Sequence, residues 1–481
     1  MNQAVNLSDV GQFDDEADVL ILGYGIAGAC AALEAKRAGS DVLVVERSNG
    51  GGGASALSSG IFYMGGGTEV QSAAGFVDTP DNMYKFMIAN MGSEQAHLIR
   101  AYCDGNVEHF AWLEAQGVPF ERTYYPKKTV FLLSTEGLMW SGNEKVWPYR
   151  EVATPVPRGH QVAMPGDSAG AGAMQPLLAR CEREGVRASF DSVAKSLIAD
   201  GSGRICGVAV RQFGKTLHYH SRKGVIIATG GFGRNEQMLA TNFPDLPASA
   251  EPMGIPNTDG SGINMALAVG GDVGGMSGLI ATASIYPPPQ LIKGIIVNRQ
   301  GQRFVAEDSY HGRTASFIME QPDQRAFLIL DSKIFGYPEI VSANHALIDG
   351  YESIQDMERG IKLPPASLIE TLSYYNAQAA TGVDPLFHKH EDWLTPLTNG
   401  PWAVFDISFN RSTYFYITLG GLKISPRSEV LDRHGNTVPG LFAAGACTAH
   451  LSPCGKSYAS GLSLGQGSFF GRVAGRNAAQ I

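Results

Sequence analysis

Four consecutive apolar residues, Val19 to Leu22, are followed by a glycine turn, Gly23-Tyr24-Gly25-Ile26-Ala27-Gly28, and by an alanine-rich stretch that runs to Gly39. An apolar run without alternation suits a strand buried on both faces, and the spacing after Gly28 predicts a helix. A second apolar run, Val42 to Val45, ends in Glu46. The order strand, glycine turn, helix, strand opens a Rossmann-like α/β unit. In such a unit Gly23 makes the turn, Gly25 lets a pyrophosphate approach the backbone and Gly28 lets helix and strand pack closely. The helix N-terminus offers free N–H groups to phosphate, and Glu46 accepts ribose hydroxyls.

Further along, the same vocabulary of apolar strand, small residues and glycine recurs. "NGGGGASALSSG" (49–60) follows the second strand directly and offers Ser55, Ser58 and Ser59 as donors, a second phosphate-sized cradle that a nicotinamide enzyme would not need. "GVIIATGGFG" (224–233) and "GLFAAGAC" (440–447) read as strand ends returning to the nucleotide site. Between them, "SIYPPPQ" ends any regular element, because consecutive prolines cannot continue one. "GIIVNRQGQRFVAED" predicts two short strands joined by a turn around Arg299 to Gly301, and "PPASLIETLSYYNAQAATG" a helix with a proline start and a glycine stop.

Composition narrows the class. With 481 residues, 44% hydrophobic and 17% charged, the chain is globular and long enough for two or three domains. A net charge of −9 with no basic block excludes nucleic acid as a partner. The longest apolar runs are strand-length, well short of the ~20 residues a membrane span needs. Residues 1–16 are polar and acidic, lack the basic start and apolar stretch of a secretory signal, and read as a mobile lead-in. Six scattered cysteines without a CxxC pair suggest reduced thiols in the cytoplasm. The pairs His218/His220 and His388/His390 lack a third ligand at recognisable spacing and read as surface histidines, so no metal is expected.

The remaining puzzle is "CGKSYASGLSLGQGSFFGR" (454–472), which sets Ser457, Tyr458, Ser460, Ser463 and Ser468 among glycines. So small and hydroxyl-rich a loop is poor core material. Together with "GYGIAG", "GGGASALSSG", "ATGGFGRNEQM", "NTDGSGINMALAVGG", "GIIVNRQGQRFVAED" and "ITLGGLKIS", it resembles the flavoproteins of the fumarate reductase and 3-oxosteroid dehydrogenase group from Asp18 to the C-terminus. The resemblance implies non-covalent FAD, an FAD-binding domain over 17–280 and 414–481, and an inserted α+β catalytic cap over 281–413. It also implies FAD contacts from Gly23, Gly25, Ile26, Ala27, Gly28, Glu46, Arg47, Gly53, Ala54, Ser55, Ser58, Ser59 and Gly60. Further along the chain these continue with Val193, Ala228, Thr229, Gly230, Asn235, Asp259, Gly421, Gly445, Ala446, Ser460, Ser463 and Leu464.

Within this group the chemistry divides by two loops. Fumarate reductases carry an arginine after the "RFVxE" strand, a histidine before the "TxGG" turn and an arginine in the C-terminal loop. Here those positions hold Tyr310 and His311, Tyr416 and Ile417, and "SYASGLS"; Arg313 falls one turn away. The 1-dehydrogenases have tyrosine followed by proline and glycine where this chain has Tyr458-Ala459-Ser460. "SYASGLSLGQGSFFGR" is closely similar to the loop of 3-oxo-5α-steroid 4-dehydrogenases. That similarity implies Tyr310, Tyr458 and Ser460 as catalytic hydroxyls and a steroid substrate, with the electron acceptor left open. The alternatives are a 1-dehydrogenase, a reductase of conjugated acids, or a protein in which FAD is purely structural. Removing a proton beside a ketone needs a positioned base and donors for the developing enolate, and neutral phenols suit an apolar substrate. Phe62, Trp147, Tyr149, Ile285 and Tyr286 are the expected pocket walls.

Overall fold

A computed structural model describes residues 4–481. Strand Asp15–Leu22 lies between Lys215–Ile227 and Val42–Val45 in a nine-stranded sheet, and the three run parallel. Their carboxyl ends are level: Leu22 pairs in register with Val45 on one side and Ile227 on the other, and Ile227 pairs with Ala443 of strand Thr437–Ala443. Four segments from distant parts of the chain therefore leave the sheet side by side. In open α/β sheets such an end is where ligands bind.

Helix Ile26–Arg37 is buried from Ile26 to Ala35 and packs against the C-terminal helix Leu462–Ala478. Glycine permits the contact. A Cβ at Gly471 would lie 2.3 Å from the Ala27 carbonyl oxygen, and one at Gly475 would lie 2.1 Å from that of Ala31. The two backbones touch, and the loop before the last helix is carried to the sheet's ligand-binding end.

The N-terminal segment departs from expectation. Val5–Asn6 pairs parallel with strand Ser192–Ala199, the Asp14 N–H donates to the His218 carbonyl at 2.8 Å, and Phe13 packs on the His220 ring. Residues 4–16 are thus tied to the sheet by backbone partners that a composition-based reading does not see. Residues 1–3 lie outside the described residues.

A second, antiparallel sheet contains Ile295–Asn298, Ala326–Asp331, Trp402–Asp406 and Ala346–Tyr351, in that order. It has its own core, in which Ile296, Leu328, Phe405 and Leu372 of helix Ser367–Ala379 are buried. The chain enters and leaves this unit along paired strands: Leu279–Thr282 runs antiparallel to Phe415–Thr418, with Thr282 opposite Phe415. The expected hairpin in "GIIVNRQGQRFVAED" is half formed. Ile295–Asn298 is a strand, but Arg303 makes only an isolated bridge to Val297. Arg303 instead folds onto Glu307, donating from Nε at 2.9 Å and Nη2 at 2.8 Å, and onto Asp384 at 2.9 and 3.2 Å. Four residues of strand would span about 13 Å, too far for that fork to close. Among the described residues no helix is long and apolar enough to cross a membrane.

Candidate active site

The level strand ends open onto a cavity of about 590 Å³. Its near end is made largely of backbone. Helix Ile26–Arg37 starts at Gly25 without a side-chain cap from that residue, and the Ile26 N–H finds Ser55 Oγ at 3.1 Å. Gly23 has φ +103° and stands so close to Ala228 that a Cβ would lie 2.4 Å from its carbonyl oxygen, which only glycine tolerates. Glu46 accepts the Tyr24 N–H on one carboxylate oxygen and the Ser48 N–H on the other, both at 2.8 Å, and is thereby fixed at the cavity wall.

Most residues expected around FAD line this cavity: Gly23, Gly25, Ile26, Ala27, Glu46, Arg47, Gly53, Ala54, Ser55, Ser58, Ser59, Ala228, Thr229, Gly230, Gly445, Ala446, Ser460, Ser463 and Leu464. Six do not. Gly28 and Gly421 are close-packing positions, where a Cβ would lie 2.0 Å from the Gly23 oxygen and 2.3 Å from the Cys447 oxygen. Gly60 has φ +70° and backs onto Ala169. Val193 lies between Ser192 and Ala194, which do line the cavity, as the two-residue period of a strand dictates. Asn235 caps helix Glu236–Asn242 and holds the Asp259 carbonyl at 2.8 Å. Asp259 pairs at 2.7 Å with Arg47 and thereby positions it.

The far end is made of side chains. Tyr310 Oη and Ser460 Oγ are 3.0 Å apart, and Tyr458 Oη and Ser463 Oγ are 2.8 Å apart. Both tyrosines are buried, 4% and 6% exposed, and burial pushes both phenols above their ordinary range, so each is a neutral O–H. Two histidines that sequence reasoning left out stand beside them. His450 Nε2 lies 3.2 Å from Ser463 Oγ, and His311 Nδ1 lies 2.6 Å from Thr282 Oγ1. Burial holds each down to about 3, so both are neutral at physiological pH.

Asn143, also unforeseen, joins the two hydroxyl-bearing loops: its Oδ1 accepts the Tyr310 N–H at 3.0 Å and its Nδ2 donates to the Lys456 carbonyl at 3.2 Å. Lys128 Nζ donates to the carbonyls of Asp308 and Ser309, just ahead of Tyr310. Both residues come from the irregular segments on either side of the short strand Leu138–Met139, where no periodicity marks a function.

The expected aromatic walls are corrected. Phe62 packs on Phe120, Trp147 is 42% exposed and stacks on His388, and Tyr149 accepts a hydrogen bond from Arg313. Ile285 belongs to the second core, and Tyr286, also part of it, lines a smaller cavity behind Tyr310 and Ser460 rather than the main one. The apolar wall comes instead from Val130, Phe131, Ile280, Phe415 and Ile417. Arg47 is the one lysine or arginine lining the cavity among the described residues, and it is already paired. Arg313 is turned away onto Tyr149, and Tyr416 donates to the Gly233 carbonyl at 3.0 Å.

A helix N-terminus, a glycine cradle and a fixed carboxylate, joined to a neutral hydroxyl cluster in one cavity, define a dinucleotide-dependent oxidoreductase site. The chain belongs to the FAD binding domain family, whose model matches residues 18–461, and it is an FAD-dependent oxidoreductase. The residues present fit FAD, since the bare helix start, the two serine-bearing loops and the buried, unpartnered Thr229 Oγ1 supply donors along the cavity. Among solved structures, the chain is similar to the 3-ketosteroid-Δ4-(5α)-dehydrogenase of Rhodococcus jostii RHA1 in complex with 4-androstene-3,17-dione. The two are 39% identical, with 100% of each chain covered and a TM-score of 0.94. It is 28% identical to the 3-oxo-5-alpha-steroid 4-dehydrogenase of Comamonas testosteroni, over 92% of this chain and 94% of that one. The 3-ketosteroid Δ1-dehydrogenase of Sterolibacterium denitrificans shares the fold at 20% identity and a TM-score of 0.74, over 97% of this chain and 100% of that one.

Proposed function

We propose that the chain dehydrogenates 3-oxo-5α-steroids to 3-oxo-4-ene steroids, removing a proton from C4 and a hydride from C5. The observation that carries this reading is two sets of neutral hydroxyls at the end of a largely apolar cavity whose one cation, Arg47, is already paired with Asp259. A dicarboxylate would find no free anchor there, and burying its charges unpaired costs several kcal/mol. A flat apolar ketone needs only hydrogen bonds at one oxygen. The two relatives named for Δ4 chemistry support the same choice.

The two hydroxyl sets take different parts. Tyr458 faces the main cavity alone, backed by Ser463 and the neutral His450, and suits a donor to the C3 oxygen as enolate charge develops. Tyr310 and Ser460 form a hydrogen-bonded pair that takes the C4 proton. FAD, when bound, accepts the hydride. In this reading residues 281–413 form the cap that brings Tyr310 to the FAD-binding part formed by 17–280 and 414–481. Six free cysteines, five of them buried, favour the cytoplasm as the working compartment.

Anaerobic mixing tests the proposal. A 3-oxo-5α-steroid bleaches the flavin absorbance and yields a 4-ene-3-one with its conjugated ultraviolet band. A 5β steroid, bent at the ring junction, reacts poorly, and a 4-ene-3-one is inert. Rapid bleaching by the 4-ene-3-one with formation of a 1,4-diene would make the protein a 1-dehydrogenase. Flavin reoxidation by fumarate without any response to steroids would place it among the reductases.

A further inference from the structure

Behind the hydroxyl pair lies a second cavity, of about 120 Å³. Tyr310 and Ser460 line both cavities, so the pair forms the partition between them. The second cavity is more polar than the first. Ser141, Lys128, Glu144 and Asp308 line it; Ser141 Oγ and Asp308 Oδ1 are buried without a hydrogen-bond partner, and the Glu144 carboxyl is buried with the Tyr63 hydroxyl beside it. Its size and these free polar atoms give room and partners for water. The exposed residues Lys145 and Asp392 line its outer side, which joins it to solvent. The partition is rigid: the Ser460 N–H donates to the Ser141 carbonyl at 2.8 Å, and the Gly142 N–H to Glu144 Oε2 at 3.0 Å.

We propose that Glu144 is the exit acceptor for the proton taken from the substrate, reached through the Tyr310–Ser460 pair and water in the second cavity. The inference rests on the dehydrogenation proposed above. In the step, the C4–H bond breaks and its electron pair becomes the new π bond as the C5 hydride leaves for the flavin. The proton moves onto the hydroxyl pair, the pair passes its own proton across the partition, and the Glu144 carboxylate becomes a carboxylic acid. Release to solvent past Lys145 and Asp392 restores it. The charged and titratable groups facing Glu144 are Arg158, Tyr63, Lys128 and Tyr310, with Asp308, His390, Asp392 and Lys145 on the cavity wall. Burial raises the Glu144 carboxyl above the ordinary carboxylate range while Arg158 opposes the shift, which suits a group that must both take and lose a proton.

The test follows flavin reduction by a 3-oxo-5α-steroid in the FAD-loaded enzyme, in single turnover from about pH 5 to about pH 8. Glu144 must be ionised to accept, so the wild-type rate rises with pH to a plateau. Glu144→Gln loses that rise and is slower by about tenfold or more, with flavin content and substrate KM unchanged. Added formate restores the rate of Glu144→Ala. Infrared difference spectra across the same range show one carboxylic acid band that is missing from Glu144→Gln. A Glu144→Gln enzyme within about twofold of wild type and with the same pH profile would overturn the proposal. So would a pH-independent wild-type rate, which needs no variant to fold. Wild-type enzyme that does not respond to the steroid at all would overturn the dehydrogenase reading and this inference with it.

Discussion

The two ends of one cavity are built by different means. Around Gly23 to Gly28 the working groups are backbone N–H groups and bare Cα positions, and the tolerance is that of van der Waals contact. Around Tyr310 and Tyr458 the working groups are side-chain hydroxyls, held by Asn143, Ser463 and His450 from elsewhere in the chain. A backbone site is local in sequence, and a misplaced atom destroys it. A side-chain site is assembled from several segments, and a lost atom leaves the frame standing while the chemistry stops.

Substitutions sharpen this contrast. Gly28→Val places a side chain where a Cβ alone would be 2.0 Å from the Gly23 oxygen. No flexible side chain can give way, so the variant is expected to be colourless or insoluble; a yellow protein with full FAD would refute the packing role. Tyr458→Phe keeps the ring and removes one O–H. Turnover drops by on the order of a hundredfold, while FAD content and melting temperature stay at wild-type values. Activity within about twofold of wild type would return Tyr458 to the core.

Asn143→Ala sits between these extremes. It leaves the buried Tyr310 N–H and the Lys456 carbonyl without their partner, at a cost of about 1–3 kcal/mol. The expected result is a lower melting temperature together with roughly tenfold slower turnover and unchanged FAD binding, read by calorimetry and steady-state kinetics. The smallest effect is that of acid. His311 and His450 are held near 3 in the folded protein, against about 6.5 when unfolded. Below about pH 6.5 the unfolded chain therefore binds protons that the folded chain refuses, and stability falls as pH drops. Between pH 7 and about 5.5 each histidine accounts for roughly 1 kcal/mol, and His450→Asn removes its share from the pH dependence of melting.

The same contrast explains what the sequence discloses. Val19 to Glu46 spell out the cradle in order, because every part of it is within reach of its neighbours along the chain. Tyr458 and Ser460 were legible only through similarity of their loop to a family, since a tyrosine in isolation is more often core. Asn143, Ser141 and Lys128 carried no signal, because their roles depend on loops more than 160 residues away that only folding brings near. The "RFVAE" alternation misled in the other direction. Its pattern is that of a strand, yet the pull of two carboxylates on Arg303 closes a turn instead.

The strand Thr437–Ala443 also governs when the protein becomes complete. Chains emerge N-terminus first, at about 5–20 residues per second, and domains fold as they appear. The antiparallel sheet closes with residue 406, so its strands are all present while the parallel sheet still lacks its partner for Ile227. Gly445 and Ala446, which wall the cavity, arrive later still. Flavin capture is therefore one of the last events in the life of the nascent chain. Until Thr437–Ala443 has left the ribosome, the apolar edge of Val225 to Ile227 stays uncovered and open to aggregation.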